Sequence, residues 1–190
     1  MRSGSTARHY IVPADAPLHV VALARYDDDT VRRRIIELKS GRRNDVIGAV
    51  AHDMVHALAA TSCIRCAQSP DVVTWVPASH RRVRRTGVDA TALVAEAVAR
   101  DLGVEVRAML RRRGRTRQSS SDRAARLVGP DLCASPRARG RSILVIDDVT
   151  TTGATLRRAV DVLVNDGDAR HVRAVVAAWT PRPPGRGGDG

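Results

Sequence analysis

Residues 142–156 read SILVIDDVTTTGATL, an apolar run, two adjacent carboxylates and a hydroxyl-rich turn in direct succession. Ile143, Leu144, Val145 and Ile146 sit between polar neighbours, the pattern of a strand buried on both faces of a parallel sheet. Asp147 and Asp148 then fall at the carboxyl end of that strand, where open α/β sheets bind their ligands. The following residues, Thr150, Thr151, Thr152, Gly153, Ala154 and Thr155, lead into a helix. Its first N–H groups are unpaired and its dipole favours an anion. A phosphate suits the turn, and the two acids, which would repel a phosphate, suit the neighbouring hydroxyls of a ribose on the same ligand. A ribose 5-phosphate is therefore the implied ligand. The competing reading is an ordinary buried strand whose acids cap the next helix.

Working outward, Leu156, Ala159, Val160, Leu163 and Val164 recur at helical spacing, Gly167 ends that helix, and residues 172–179 form a final strand. Upstream, residues 128–134 suggest a short strand and SPRARGR a turn. Residues 72–76 are a β-branched strand running into Pro77 and a basic loop, SHRRVRRTG. Ala90, Leu93, Val94, Ala97 and Val98 share one helical face, Gly103 terminates it, and residues 104–110 read as the next strand. Residues 111–126 are rich in Arg and Ser without apolar periodicity, which predicts a loop of the kind that serves as a lid. Near the N-terminus, residues 20–26 suggest a strand. Asp27, Asp28, Asp29 and a Thr30 cap precede a helix over 31–40 that ends at Gly41. Asn44 or Asp45 caps a second helix with Ile47, Val50, Met54 and Leu58 on one face. Alternating strands and helices predict an α/β fold, a mostly parallel twisted sheet flanked by helices with right-handed connections. The expected organisation is a flexible lead-in over 1–17, a helical hood region over 18–68, a core over 69–180 and a disordered tail, PRPPGRGGDG, over 181–190.

A chain of 190 residues is about one domain. No apolar stretch approaches the roughly 20 residues that span a bilayer, and MRSGSTARHY lacks the apolar core of a signal peptide, so the expectation is a cytoplasmic protein with no membrane insertion. The net charge of +12 rests on arginine, because Lys39 is the only lysine. That charge predicts acidic partners, phosphates or nucleic acid. GC-rich coding would by itself favour Arg over Lys, so the bias carries no functional weight. With aromatics at 2%, a surface that stacks single-stranded bases on rings is disfavoured. Cys63 and Cys66 form a lone CxxC downstream of His52 and His56. A Cys2His2 zinc site and reduced thiols beside a solvated helix face are both compatible with this spacing. No GxxxxGK[ST] sequence occurs, which argues against a P-loop NTPase.

The stretch resembles the phosphoribosyl pyrophosphate (PRPP) motif of the type I phosphoribosyltransferases: four apolar residues, two acids, an apolar residue and a Thr/Gly turn, with Thr150 in a slot often aliphatic. Over residues about 20–180 the chain is similar to the ComF-type competence family, through Tyr26 with VRRRIIELKSGRR, VPASHRRVRRTG, RTRQ and the motif itself. The resemblance implies a glycosyltransferase that moves phosphoribosyl from PRPP to an unknown nucleobase-like or amine acceptor and releases pyrophosphate. It assigns Asp147 and Asp148 to the ribose hydroxyls and residues 150–155 to the 5-phosphate. The pyrophosphate falls to loop 77–87 through Ser79, His80 and Arg81. Residues 111–122 take the place of the catalytic loop, with Arg113, Arg115 and Arg117. A hood over residues 20–65 would cover the acceptor, Lys39 of the family's Leu-Lys pair being a contact or else a solvated helix end. Magnesium is expected to arrive with PRPP, with no dedicated metal ligand in the chain. Competence machinery, single-stranded DNA and a second copy of the chain are the implied partners. The family's four-cysteine zinc ribbon is missing, and Thr86, Gly87, Val88, Asp89 and Ala90 replace its Arg-Gly-Phe-Asn-Gln block. Thr116 and Gln118 are kept, with Arg117 where proline is common. The alternative is a PRPP-binding accessory of DNA uptake with little or no turnover.

Overall fold

The computed structural model describes residues 10–11, 20–26, 28–60, 69–113, 130–151 and 153–180. In chain order the elements are β1 (Tyr10–Ile11), β2 (Val20–Arg25), α1 (Asp29–Ser40), α2 (Asn44–Ala60), β3 (Val72–Trp75), α3 (His80–Thr86), α4 (Ala90–Leu102), β4 (Glu105–Val106), β5 (Leu110–Arg112), β6 (Leu132–Ala134), β7 (Ser142–Thr150), α5 (Ala154–Asp161) and β8 (His171–Trp179). Six strands form one sheet in the order β1-β2-β8-β7-β3-β4. All its neighbours are parallel except the β1/β2 pair. β5 and β6 form a separate antiparallel ribbon. The mostly parallel sheet with flanking helices predicted from the alternation is what forms.

The motif strand lies in the middle of the sheet, which explains its unbroken apolar run. Its alternate residues enter two cores. Leu144 and Ile146 pack with Ile35 and Leu38 of α1, Met54 and Leu58 of α2 and Val94 and Val98 of α4. Ile143 and Val145 pack with Leu156, Leu163, Met109 and Leu132 on the other face. Helix ends follow the chemistry of their caps. Asp28, rather than Thr30, caps α1 by accepting the Thr30 and Val31 N–H groups, and Gly41 closes it at φ 64°. A β-carbon at Gly41 would stand 2.1 Å from Val88 Cγ2. Gly41→Ala is therefore expected to lower unfolding free energy by about 2–4 kcal/mol, from the left-handed strain and the overlap together, read by urea denaturation.

Four expectations change in detail. The basic loop is helical over α3, because Ser79 accepts the Arg82 N–H and Gly87 at φ 79° ends the helix. No residue of α3 is buried, so it carries no apolar period to read. The strand expected over 104–110 divides. Only Glu105 and Val106 pair with β3, after which Met109 N–H donates to Thr74 Oγ1 (3.0 Å) and Leu110 starts the ribbon with β6. β7 runs on past Ile146 to Thr150, since β8 continues to pair with it as far as Trp179. The helix expected up to Gly167 does reach it, with Val162–Asp166 wound as a π-turn after α5.

Within the expected lead-in, Tyr10–Ile11 pair with β2 as strand β1; the rest of it, the tail, Cys63, Cys66 and most of the expected lid lie outside the described residues. β3 passes outward to β4 by way of α4, while β7 passes the other way to β8 by way of α5. The strand order thus reverses between β3 and β7, and the crevice at their carboxyl ends is where such sheets take a ligand.

Candidate functional site

β3 and β7 remain paired up to Trp75 and Ile146, and the Val76 N–H still donates to Ile146 O at 2.9 Å. Pro77, which has no N–H, then turns the chain away while β7 continues beside β8. A cleft of about 200 Å³ opens between them. Residues 76–79 and Arg82 line one wall, Asp147, Asp148, Val149 and Thr155 the other, and Thr91 and Arg112 complete it.

Both acids line this cavity although strand alternation turns them to different faces, because among the described residues no strand covers β7 on the β3 side beyond Val76. Asp147 is 8% exposed. Its Oδ1 accepts the Asp148 N–H at 2.9 Å. Burial, and after it the charge of Asp148, push its carboxyl up to about 8, against the opposing pull of that N–H, Arg82 and Lys39. Asp148 is ion-paired instead. Arg82 Nη1 lies 2.9 Å and Lys39 Nζ 3.6 Å from its Oδ2, and its Oδ1 accepts the Val149 N–H at 2.7 Å. One acid that readily keeps a proton beside one held by cations can both donate to and accept from a vicinal diol.

The phosphate turn follows. Gly153, at φ 73°, sets the entry to α5, and Thr155 in its first turn faces the cleft. Thr150 is buried and its carbonyl accepts the Thr180 N–H at 2.9 Å. Thr151 is exposed, Ala154 is the first helical residue, and Thr152 lies outside the described residues.

Among the basic residues chosen from sequence, Ser79 caps α3 and lines the cleft, whereas His80 and Arg81 stand exposed outside its lining. Arg113 is exposed at the end of the ribbon, where its N–H donates to Asp131 O. Arg115 and Arg117 lie outside the described residues. Lys39 reaches Asp148 from the last turn of α1.

The arginines inside the cleft are Arg82 and Arg112, which sequence reasoning missed. A signal existed for each. Ser79 capping a helix turns Arg82, three residues on, back toward the cap. Alternation along β5 puts Arg112 on the side of buried Leu110. Arg112 Nε donates to Pro77 O at 2.6 Å. Burial lowers the affinity of its guanidinium for the proton, with Asp147 and Asp89 opposing that and Arg82 adding to it.

Asp89, the acid in place of the family's amide, has a structural task. Its Oδ2 accepts the Ala78 N–H at 3.0 Å, and its Oδ1 accepts those of Thr91 and Ala92 at 3.2 and 3.4 Å. It fastens the cleft wall to the start of α4. His52 and His56 sit exposed on α2 with ring centres 4.4 Å apart. Among the described residues no cluster of three or more His, Cys, Asp or Glu could hold a metal, and no helix is long and apolar enough to cross a membrane.

Comparison with known proteins fits this geometry. The family model described as phosphoribosyl transferase domain matches residues 88–186, which include both acids and the phosphate turn. The chain is 28% identical over 143 residues to the DNA utilization protein YhgH of Escherichia coli strain K12, covering 71% of this chain and 61% of that protein. It thus spans less than two thirds of the length of that relative. Among solved structures it is similar to the glutamine PRPP amidotransferase from B. subtilis complexed with ADP and GMP (26% identity, 73% of this chain, 26% of that one, TM-score 0.46). It is also similar to the adenine phosphoribosyltransferase from Thermoanaerobacter pseudethanolicus (12% identity, 72% and 80%, TM-score 0.45). With acids, turn and switch-point cleft all inside the matched region or bordering it, the chain belongs to the phosphoribosyl transferase domain family.

Proposed function

We propose that this chain binds PRPP in the switch-point cleft and transfers its phosphoribosyl group to a nitrogen acceptor. The observation that carries the reading is the convergence of Asp147, Asp148, Thr155, Arg82 and Arg112 on one cavity. The ribose hydroxyls would lie on the two acids and the 5-phosphate on the N–H groups at the start of α5. Arg82 and Arg112 would meet the pyrophosphate. In the transfer the bond from C1 to the pyrophosphate oxygen breaks, its electron pair leaving with pyrophosphate. The acceptor nitrogen supplies the electron pair for the new bond to C1, and its proton passes to the departing pyrophosphate or to water. Charge accumulates on the departing group, so cations fixed beforehand on that side stabilise the transition state more than the ground state.

The donor set fits magnesium held chiefly by PRPP and water. Asp148 already answers two cations, Asp147 leans toward its protonated form, and no third carboxylate joins them among the described residues. When bound, the ion would neutralise pyrophosphate charge.

Incubation with PRPP, magnesium and a metabolite extract, followed by mass spectrometry, is expected to yield a ribosylated product with release of pyrophosphate. A calorimetric titration should show PRPP binding in the micromolar range. Absence of any heat at millimolar PRPP would reject the reading.

A second reading, a PRPP-binding accessory that handles DNA, draws on the net charge of +12 and on the name of the YhgH relative. Its mark is DNA affinity that falls steeply between 50 and about 200 mM salt, together with PRPP binding and no product from the extract.

A further inference from the structure

Thr91 is 4% exposed in the first turn of α4, yet it lines the cleft. Both facts follow from one geometry. Residues 91, 94 and 98 share a face of the helix, and Val94 and Val98 bury that face in the core with Val73 of β3 and Ile146 of β7. Because α4 begins just past the carboxyl end of β3, Thr91, one turn before Val94, stands where the sheet gives way to the cavity.

Its hydroxyl has nothing to bond. Among the described residues Thr91 Oγ1 meets no donor or acceptor, and only the Thr91 N–H is engaged, by Asp89 Oδ1 at 3.2 Å. Within a helix a threonine hydroxyl commonly donates to the carbonyl three or four residues back. For Thr91 those carbonyls belong to Val88 and Gly87, which precede the helix, and Val88 O accepts the Thr86 hydroxyl at 2.8 Å. A hydroxyl withdrawn from water without a partner costs stability. The neighbours Ala90, Val94 and Ala95 are buried and apolar, so valine or alanine would suit the position better. A partner that arrives with the ligand accounts for the hydroxyl.

Which part of the ligand it meets follows from what Thr91 is tied to. Asp89 accepts the Thr91 N–H on one oxygen and the Ala78 N–H, at 3.0 Å, on the other. Thr91 is thereby fixed to the wall of residues 76–79 and Arg82, the side that faces Asp147 and Thr155 across the cavity. The charge of Asp89 is spread over three N–H groups, and Arg82 and Arg112 keep the wall attractive to an anion. A β-branched side chain on a packed helix is also stiff at χ1, so its hydroxyl binds with little ordering cost.

We propose that Thr91 is a binding residue of the cleft, its hydroxyl donating to an oxygen of the pyrophosphate half of PRPP, and that the fold gives up stability to keep that donor unpaired until the ligand arrives. This rests on the phosphoribosyl transfer reading above and adds a neutral, rigidly placed donor beside the two arginines.

Thr91→Val keeps the shape and removes the hydroxyl, whereas Thr91→Ser keeps the hydroxyl. Each full-length variant is titrated by calorimetry with PRPP and magnesium, with pyrophosphate and magnesium, and with ribose 5-phosphate. Thr91→Val is expected to weaken PRPP and pyrophosphate about tenfold or more and ribose 5-phosphate less than about twofold, while its thermal midpoint equals or exceeds the parent's. Thr91→Ser should stay within about threefold of the parent for all three. Affinity falling while stability holds or rises is what a hydroxyl with a structural partner would not produce. Unchanged pyrophosphate affinity in Thr91→Val, equal losses for all three ligands, or a lowered midpoint overturns the assignment of Thr91 and leaves the phosphoribosyl pocket standing. Absence of PRPP binding to the parent overturns both.

Discussion

Asp147→Asn is expected to weaken PRPP binding about 100-fold while making the folded protein more stable above neutral pH. The two effects have one cause. Asp147 is held in a cleft that opposes its ionisation, its carboxyl being pushed up to about 8 by burial and by Asp148. A carboxyl whose folded value is raised above its unfolded one of 3.8 binds more protons in the native state, so stability falls as pH rises from about 4 to about 8. The loss should be on the order of 2–4 kcal/mol. Asparagine does not titrate, and its side-chain oxygen can still accept the Asp148 N–H. Thermal scans should therefore show parent and variant alike near pH 4, with the variant ahead by roughly 5–10 °C near pH 8. Binding moves oppositely. Asparagine can neither donate through an O–H, as the protonated carboxyl does, nor take up the charge that a ribose diol draws out of that carboxyl, and losing a charge-assisted contact of that kind costs about 2–3 kcal/mol. Asp147→Asn together with Asp148→Asn should leave no calorimetric signal for PRPP in a protein that still unfolds cooperatively. A double variant that retains the parent affinity would show that the ribose lies elsewhere. A pH-independent stability difference for the single variant would show that Asp147 is not the titrating group.

The sequence makes this cleft legible through the part of its chemistry that is local. Apolar runs, acids and caps are written in adjacent residues, so β7, α4, α5 and β8 are readable to within a few positions, and with them the paired acids. What depends on partners distant in the chain is not. Whether β7 stops at Ile146 or continues to Thr150 depends on how far β8 accompanies it. Where the strand after α4 breaks depends on Thr74, whose hydroxyl takes the Met109 N–H. The basic wall is the sharpest case. Nine of the residues in SHRRVRRTG and RTRQ are Arg, Ser or Thr of similar character, so position relative to a family pattern favours Ser79, His80 and Arg81. The fold then turns Arg82 inward by winding the loop into α3, and brings Arg112 in from a ribbon whose second strand lies twenty residues further on. Arginine composition marks a basic surface; only the tertiary turn separates the two side chains that line a cavity from those that face water.

That separation gives the other large effect. Arg112→Gln is expected to lower affinity for PRPP and for pyrophosphate about 100-fold, with ribose 5-phosphate affected no more than about threefold. Arg112 is fixed before any ligand arrives, its Nε on Pro77 O at 2.6 Å, so the remaining guanidinium N–H groups can bind without the cost of ordering a free side chain. It is also partly desolvated, as the lowering of its proton affinity by burial indicates, and an ion pair formed there is screened less than one at the surface. A charge-assisted contact of this kind contributes about 2–3 kcal/mol. Arg81 has the same charge one residue before Arg82 but stands exposed, and for it screening and side-chain entropy leave roughly 0–1 kcal/mol. Arg81→Gln should therefore weaken PRPP no more than about threefold. Arg112→Lys distinguishes fork from charge: lysine keeps the cation but cannot both hold the Pro77 carbonyl and grip two phosphate oxygens in one plane, so most of the loss should persist. The comparison turns on pyrophosphate against ribose 5-phosphate. Equal losses for both ligands would mean that Arg112 merely supports the cleft wall at Pro77, and a larger loss from Arg81→Gln would move the pyrophosphate to the exposed face of α3.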